Sequence, residues 1–451
     1  MNHLARKIES IYTMKVRWLL LLTQLVLLYF PGIQIFSIPT DNGSIPASIC
    51  YFFSLVFAPW LVLHLKELRL PHWSVFGLFL LVYAIAIFRM PKYGLSKSIL
   101  HWAFGLYLIV IVLNVGKGFQ KEQWLRLLEI AACIFAISHL LYMLWNHETV
   151  TYLLHGYYTR ELDGTYGAKL PSLTRGGRNL DATWLALGGF FVTGRKKAFY
   201  VTYSILFSCL GASRVGMIAT ACLILWSLVY DKMYRLNWKK LKWYTLYACG
   251  MLLVLTYSGL AVAGFGRFSA ILPFAPSQNV SQSTSQSAPN HENAEDGTMD
   301  IENFLSGRAA MWSRAPQMFR DNPWGYGVGN ALRVMKQSYG FTSYEDVIHN
   351  VFLQLLLDEG FLGGIWYIGL AAAFLYSQRK NLFLSPFAAY FLTYLILSAV
   401  QFHGGEALMQ FTLAVFLAER NGWFFVPWSK KQNRESGEAK NGAFKNIADH
   451  P

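Results

Sequence analysis

The chain has 451 residues, of which 54% are hydrophobic and only 14% are charged. A soluble globular protein carries about 25% charged residues, so this composition excludes an ordinary soluble domain and favours a protein that lies largely in a membrane. The formal net charge of +14 does not indicate nucleic-acid binding, because the basic residues are spread over many short segments and form no single basic face.

Apolar runs recur along the chain, and a run of roughly 17 to 25 residues can cross a hydrocarbon core about 30 Å thick. The first run, Trp18 to Phe36, is followed by no small-residue cleavage site, so we interpret it as a signal anchor. The pattern predicts an all-α, polytopic helical membrane protein with about twelve spans, of which the sixth and seventh are short. The predicted spans are 17–36, 47–65, 72–89, 99–115, 124–145, 182–193, 197–210, 214–230, 243–264, 350–376, 383–401 and 406–426.

Lysine and arginine in the short loops predict the orientation of these spans, because cytoplasmic loops are enriched in both. An even number of spans then places both termini in the cytoplasm of a bacterial cell, with the chain in the inner membrane. The cytoplasmic segments carry, among others, Arg6, Lys7, Lys66, Arg69, Lys117, Lys121, Arg195, Lys196, Lys197, Lys232, Arg235, Lys239, Arg379 and Lys380.

Two predicted extracytoplasmic segments stand out by their length, 146–181 and 265–349. The second is one long loop between helices 9 and 10, and its part 276–300 is rich in Ser, Gln, Asn and acidic residues, which predicts disorder. The predicted organisation is therefore helices 1–9 in 1–264, the loop 265–349, helices 10–12 in 350–426 and a cytoplasmic tail 427–451.

The five cysteines all fall inside predicted spans and are scattered, with no spacing typical of disulfides or metal ligands. We therefore expect no metal bound by cysteine. The sequence also has no glycine-rich phosphate loop and no Asp-x-Asp in a loop, so we expect neither a metal nor a cofactor. The cysteines are Cys50, Cys133, Cys209, Cys222 and Cys249.

Four arginines at predicted extracytoplasmic borders run against the positive-inside bias, so each needs a local partner. They are Arg175, Arg178, Arg214 and Arg308. A pyrophosphate or an anionic headgroup would fit, because the guanidinium fork matches phosphate oxygens. Arg214 and Arg308 could instead be interfacial anchors. For Arg314, Arg320 and Arg333, further along the same loop, a solvated surface position is favoured.

His349 opens the tenth predicted span and is the histidine best placed to accept a proton from an attacking hydroxyl. A lone histidine is usually structural, so its neighbours matter. Asp358 and Glu359 follow within the same span, where acidic residues must face the bundle interior or be neutralised. His403 and Glu406 lie at another extracytoplasmic border and are weaker candidates.

Three motifs together resemble the O-antigen ligase and polymerase superfamily. His349-Asn350 is followed after nine residues by Gly360-Phe361-Leu362-Gly363. Upstream come Ser306-Gly307-Arg308-Ala309-Ala310-Met311-Trp312 and Asn322-Pro323-Trp324-Gly325-Tyr326-Gly327-Val328-Gly329, and Ala212-Ser213-Arg214-Val215-Gly216 opens a span. The resemblance covers roughly residues 170 to 430.

The resemblance implies metal-independent glycan transfer on the periplasmic face, with inversion at the anomeric carbon. The donor would be a glycan on undecaprenyl pyrophosphate, and the acceptor a sugar hydroxyl of lipid A–core. It carries over Arg214 and Arg308 as pyrophosphate contacts and His349 as the group that orients or deprotonates the acceptor. The same role carries over to Arg178 less firmly, because the motif around this residue varies. Arg175, Asn350 and Trp312 are further expected substrate contacts.

Other functions stay open at this point. A polymerase would use a second lipid-linked glycan as acceptor, and the histidine-glycine signature leans only slightly toward a ligase. A protein O-oligosaccharyltransferase is less favoured, because no sizeable extracytoplasmic domain follows the last predicted span. A transporter or lipid-linked glycan flippase would place functional groups near the midplane of repeated halves, and only Asp358 and Glu359 support it.

Overall fold

A computed structural model describes residues 8–40, 43–71, 73–94, 96–146, 172–174, 177–210, 213–230, 246, 308–340, 348–380, 384–402 and 404–419. This part of the chain is mostly helical. The predicted ninth span 243–264, the insert 276–300 and the tail 427–451 lie outside it, except for Leu246. The count of about twelve spans and the long loop therefore stay predictions.

The first predicted span differs from the structure at its C-terminal end. Helix α1 covers Met14–Leu28, and an antiparallel hairpin follows, formed by β1 (Gln34–Thr40) and β2 (Gly43–Ser48), with Ile38 opposite Ile45. Pro31 lacks the N–H that would continue a helix. The all-α prediction is therefore wrong for this segment, where apolar residues form strands.

The predicted second to fifth spans coincide with helices. The second contains α2 (Ile49–Ser54) and α3 (Ala58–Leu63), separated by a 3₁₀ turn at Leu55–Phe57 just before Pro59. The third, fourth and fifth are longer and unbroken: α4 (Trp73–Tyr93), α5 (Ser98–Val115) and α6 (Lys121–Trp145).

Most of the later helices are shorter. The second half of the described chain contains α7 (Gly177–Gly188), α8 (Gly194–Leu210), α9 (Arg214–Tyr230), α10 (Arg308–Asp321), α11 (Ala331–Ser338), α12 (Val351–Asp358), α13 (Gly360–Gln378), α14 (Pro386–Ser398) and α15 (Ala407–Glu419). Among the described residues, 4 helices are long and apolar enough to cross a membrane, namely α4, α5, α6 and α13.

At one end of the bundle, segments that the positive-inside rule predicts to be cytoplasmic contact one another. The Arg17 guanidinium donates to the carbonyls of Val115 at 2.8 Å and Lys117 at 3.1 Å. Lys117 pairs with Glu67 at 3.4 Å, which brings the loop after α3 to the same place. The N-terminal helix, the end of α5 and the loop after α3 thus meet.

The tenth predicted span is broken between α12 and α13, at Gly360. This glycine has φ +68°, and a Cβ there would lie 2.4 Å from the Pro323 carbonyl oxygen. Gly325 makes the reciprocal contact, since its Cβ would lie 2.3 Å from the Asp358 carbonyl oxygen. The two backbones are therefore packed directly against each other, with no room for a side chain.

Backbone hydrogen bonds join the two segments that these glycines bring together. The Tyr326 N–H donates to the Leu357 carbonyl at 2.9 Å, and the Gly327 N–H donates to the Asp358 carbonyl at 2.8 Å. The Phe361 N–H donates to the Pro323 carbonyl at 2.9 Å. The break in the span is therefore the docking point of the segment that follows α10, and its peptide groups are paired there.

We expect Gly360→Ala to destabilise the protein by about 1 to 3 kcal/mol, because alanine at positive φ is strained and its methyl group would overlap the Pro323 carbonyl. The thermal midpoint of the purified protein in detergent, followed by tryptophan fluorescence, measures this. Gly369→Ala on the same helix is the matched control, since its Cβ would meet nothing within 4 Å. Equal midpoints for the two variants would contradict this packing.

Candidate active site

The segment that follows α14 exposes three successive backbone carbonyls, and each accepts a hydrogen bond from a different side chain. The Asn350 amide donates to Ala399 at 3.0 Å, the Arg308 guanidinium to Val400, and His349 Nδ1 to Gln401 at 3.1 Å. The last carbonyls of a helix lack intrahelical partners and carry partial negative charge, so polar and cationic donors are favoured there. Three residues that the sequence analysis selected thus meet within one turn.

The hydrogen bond of His349 fixes which nitrogen of its neutral ring carries the proton. The Gln401 carbonyl oxygen can only accept, so Nδ1 must donate. The lone pair of the neutral ring then lies on Nε2. This is the tautomer that a general base acting through Nε2 requires, with a backbone carbonyl in the orienting role.

His349 also has an unusual backbone. Its φ is +57°, and within the described residues it is the only residue other than glycine with positive φ. The left-handed conformation costs an L-residue about 1 to 2 kcal/mol. Strain of this kind persists where surrounding contacts impose it, and it clusters at functional sites.

The residue before His349 supplies those contacts. Ile348 is buried, its N–H donates to Gln354 Oε1 at 3.0 Å, and its carbonyl accepts from Trp312 Nε1 at 3.0 Å. Asn350, on the other side, caps α12 by accepting from the Leu353 N–H at 2.9 Å. His349 is therefore held between two fixed neighbours. The Trp312 indole N–H is engaged by protein, so a substrate contact by this residue would use the ring face.

Asp358 holds the segment that links α10 to α11. Its buried carboxylate accepts from the N–H groups of Gly329 at 2.8 Å and Ala331 at 3.1 Å, at the start of α11. It also accepts from Gln354 Nε2 at 2.6 Å. Through Gln354 and Ile348 this contact reaches His349, so Asp358 is connected to the site but lies behind it.

Glu359 is buried beside it, and neither carboxylate oxygen has a hydrogen-bond partner in the described structure. Its side chain covers Gly363, where a Cβ would lie 2.5 Å from the Glu359 Cβ. This explains the small residue at position 363, which makes room for the Glu359 side chain.

The end of α4 holds the other face of the same linking segment. Arg89 donates to Asn322 Oδ1 at 2.9 Å, and Asn330 Nδ2 donates to the Gly94 carbonyl at 3.2 Å. Tyr93 and Tyr326 make an edge-to-face contact with ring centroids 5.4 Å apart. Arg89 is not predicted from the sequence, because 233 residues separate it from Asn322 along the chain.

Glu406 shapes the turn after α14. Its carboxylate accepts from the Tyr394 hydroxyl at 2.7 Å and from the Gly404 N–H at 3.1 Å. Phe402 stacks on Tyr394 with centroids 4.4 Å apart and lies 5.3 Å from the Trp184 ring of α7. Glu406 thus helps to fix the turn that begins with the accepting carbonyls. His403 lies outside the described residues.

The structure describes the remaining arginines only in part. Arg214 begins α9 and is half-buried. Gly216, in the same first turn, packs on Ala182 of α7, because a Cβ there would lie 2.4 Å from the Ala182 Cβ. Arg178 lies in the first turn of α7, but its side chain is outside the described structure, as is all of Arg175. A shared site for these three arginines and His349 therefore stays a prediction.

No group of three or more His, Cys, Asp or Glu side chains that could hold a metal ion occurs within the described ranges. The described site places an imidazole and a guanidinium cation on neighbouring backbone carbonyls. Such a pair can accept a proton from one reactant and stabilise negative charge on another.

Residues 199–368 match the sequence model of a family described as O-Antigen ligase. No curated protein matches the chain. The resemblance to the O-antigen ligase and polymerase superfamily is thereby confirmed. The matched region includes Arg214, Arg308 and His349, whereas Arg178 and the accepting carbonyls after α14 lie outside it.

The positive φ of His349 gives a prediction in which backbone strain is tested apart from the loss of the imidazole. We expect His349→Gly to be more stable than His349→Ala by about 1 kcal/mol, because glycine adopts positive φ without a steric penalty. Both variants lose the imidazole equally. Chemical denaturation of the two purified proteins in detergent compares them, and greater stability of the alanine variant would contradict the conformation described.

Proposed function

We propose that this protein, whose residues 199–368 match the O-antigen ligase family, is an inner-membrane glycosyltransferase. It transfers a glycan from undecaprenyl pyrophosphate to a sugar hydroxyl of lipid A–core on the periplasmic face. The observation that carries the proposal is the placement of Arg308 and His349 on neighbouring carbonyls, Val400 and Gln401. This placement supports a site in which Arg308 is the cation for the leaving group and His349 the base for the nucleophile.

The proposed step is a single displacement. The acceptor hydroxyl oxygen attacks the anomeric carbon, its proton passes to His349 Nε2, and the bond from that carbon to the pyrophosphate oxygen breaks. Undecaprenyl pyrophosphate leaves with the electron pair of that bond, and the anomeric configuration inverts. The imidazolium formed on His349 later returns its proton to solvent, which restores the site.

The cations act on the departing pyrophosphate. The bond from Arg308 to the Val400 carbonyl fixes the direction of the guanidinium, whose planar fork suits phosphate oxygens. Arg214 is the second proposed contact, and Arg175 and Arg178 are further proposed contacts of the donor. Stabilisation of charge that develops during bond breaking is the main contribution such groups make.

The family match supports an enzyme at the level of the family and leaves the acceptor open between a ligase and a polymerase. We propose a ligase as the first candidate, because the matched family carries that description. The transport alternative loses one of its two supports, since Asp358 is accounted for by its hydrogen bonds to Gly329, Ala331 and Gln354.

We expect His349→Gln to lower the transfer rate by about 10² to 10⁴-fold, the contribution typical of one general base. Arg308→Ala should lower it by on the order of 10²-fold, as expected for removal of one group that stabilises developing charge, and Arg308→Lys should lose less because the positive charge remains. Transfer is measured with purified protein, lipid-linked glycan and lipid A–core, analysed by gel.

Arg320→Ala is the matched control, because Arg320 is an exposed arginine at the other end of the helix that Arg308 begins. The His349 and Arg308 variants must also show the thermal midpoint of the unaltered protein. Full transfer activity in either folded variant would overturn the proposed site.

The acceptor is tested by complementation of a ligase-null and a polymerase-null strain side by side. A ligase restores long glycan on lipid A–core in the first strain. Restoration of chain length in the second strain alone would assign the polymerase activity. Glycan movement across vesicles without any transfer would assign the flippase.

A further inference from the structure

Gln354 of α12 is a buried glutamine whose two polar side-chain atoms bind different parts of the chain. Its Oε1 accepts from the Ile348 N–H at 3.0 Å, and its Nε2 donates to Asp358 Oδ2 at 2.6 Å. A backbone N–H can only donate, so the amide must turn its oxygen toward Ile348 and its nitrogen toward Asp358. One side chain thus joins the residue before His349 to the carboxylate behind it.

The carboxylate at one end of this connection binds the segment that links α10 to α11. Besides Gln354, Asp358 accepts from the N–H groups of Gly329 and Ala331, at 2.8 Å and 3.1 Å. All three groups donate, and an ionised carboxyl group, which only accepts, satisfies them together. Among these three donors, Gln354 is the one that lies on the helix opened by His349 and Asn350.

The other end of the connection holds a residue that water does not reach. Ile348 is 0% exposed and lies in a cluster of buried apolar residues that includes Met335 and Leu357. A buried N–H that loses its acceptor is costly, so the backbone must move when the Gln354 oxygen is removed. The next residue is His349, whose φ of +57° persists only where surrounding contacts impose it. Movement of Ile348 is therefore passed directly to the imidazole.

We propose that Gln354 is a positioning residue of the transfer reaction. Its amide ties the backbone of Ile348 to Asp358, and this holds His349 in the left-handed conformation. In that conformation Nδ1 of His349 reaches the Gln401 carbonyl. This role rests on the proposed function, since it concerns the base of that reaction. Gln354 is buried and acts through Ile348, so its loss slows proton transfer and leaves donor binding intact.

The first test measures kcat, and KM for the lipid-linked donor, with the full-length protein in nanodiscs. Gln354→Met keeps a similar side-chain shape and removes both polar atoms. We expect it to lower kcat about tenfold, which corresponds to about 1.4 kcal/mol, with KM unchanged. In the His349→Gln background the same change should have no further effect, because residues that act through one another are not additive. An equal loss of kcat in both backgrounds would overturn the proposal.

Gln354→Glu adds a readout that depends on pH. When protonated, the new carboxyl group can accept from the Ile348 N–H and donate to Asp358, as the amide does. When ionised it only accepts, and it places another negative charge against Asp358 and near Glu359. Its activity relative to the unaltered protein should therefore be close to one at mildly acidic pH and fall as the pH rises. A loss as large as that of Gln354→Met at every pH would overturn the proposal.

Gln24→Met is the matched control. Gln24 is a glutamine of α1 that is 0% exposed, and its Nε2 donates to the Cys50 carbonyl at 3.1 Å. The change removes a buried amide that has no connection to His349 among the described contacts, so kcat should stay unchanged. The thermal midpoint of each variant is measured alongside. Equal losses of kcat for Gln24→Met and Gln354→Met would show a general effect of losing a buried amide and would overturn the proposal.

Reaction of His349 with diethyl pyrocarbonate, followed by mass spectrometry, does not depend on the glycan. Gln354→Met should release the imidazole from the Gln401 carbonyl and speed its modification severalfold, whereas Gln24→Met should not. If the unaltered protein transfers no glycan but these rates differ as expected, the proposed function fails and the hold of Gln354 on His349 stands. If it transfers glycan and Gln354→Met changes neither kcat nor the modification rate, the positioning role alone is wrong.

Discussion

A helix that ends inside a protein leaves carbonyl groups that need donors, and the end of α14 has this requirement three times in succession. Ala399, Val400 and Gln401 meet it with Asn350, Arg308 and His349. Two of these side chains come from the residues that open α12, and the third begins α10. The carbonyl groups of one segment therefore hold together the candidate site residues of two other segments.

Contacts behind these residues give the site its stiffness. The segment between α10 and α11 lies between the end of α4 and the break at Gly360, and Asp358 pairs with its backbone N–H groups. Two of the motifs that carry the family resemblance, Asn322 to Gly329 and Gly360 to Gly363, therefore contact each other. Their glycines serve close backbone packing, whereas the proposed reactive groups lie in the motifs of Arg308 and His349.

Hydropathy alone predicted most helices of the fold, because apolar runs of spanning length are a strong signal. It missed the hairpin after α1, although Asn42-Gly43 is a sequence typical of a hairpin turn. Arg308, His349 and Asn350 were predicted from residue type and border position. The backbone carbonyls that accept their hydrogen bonds were not predicted, since every residue has a carbonyl and the sequence does not indicate which ones accept. Gln354 could have been found, because Asn350, Gln354 and Asp358 share one helical face at a spacing of four.

The order of the three accepting carbonyls sets the distance between the anchor points of Arg308 and His349. The two side chains bind adjacent residues, whose Cα atoms are about 3.8 Å apart in any trans peptide. Because the two anchor points are joined covalently, a substitution nearby can tilt either side chain but cannot separate the residues that hold them. An inserted or deleted residue between Ala399 and Gln401 would move one anchor point relative to the other.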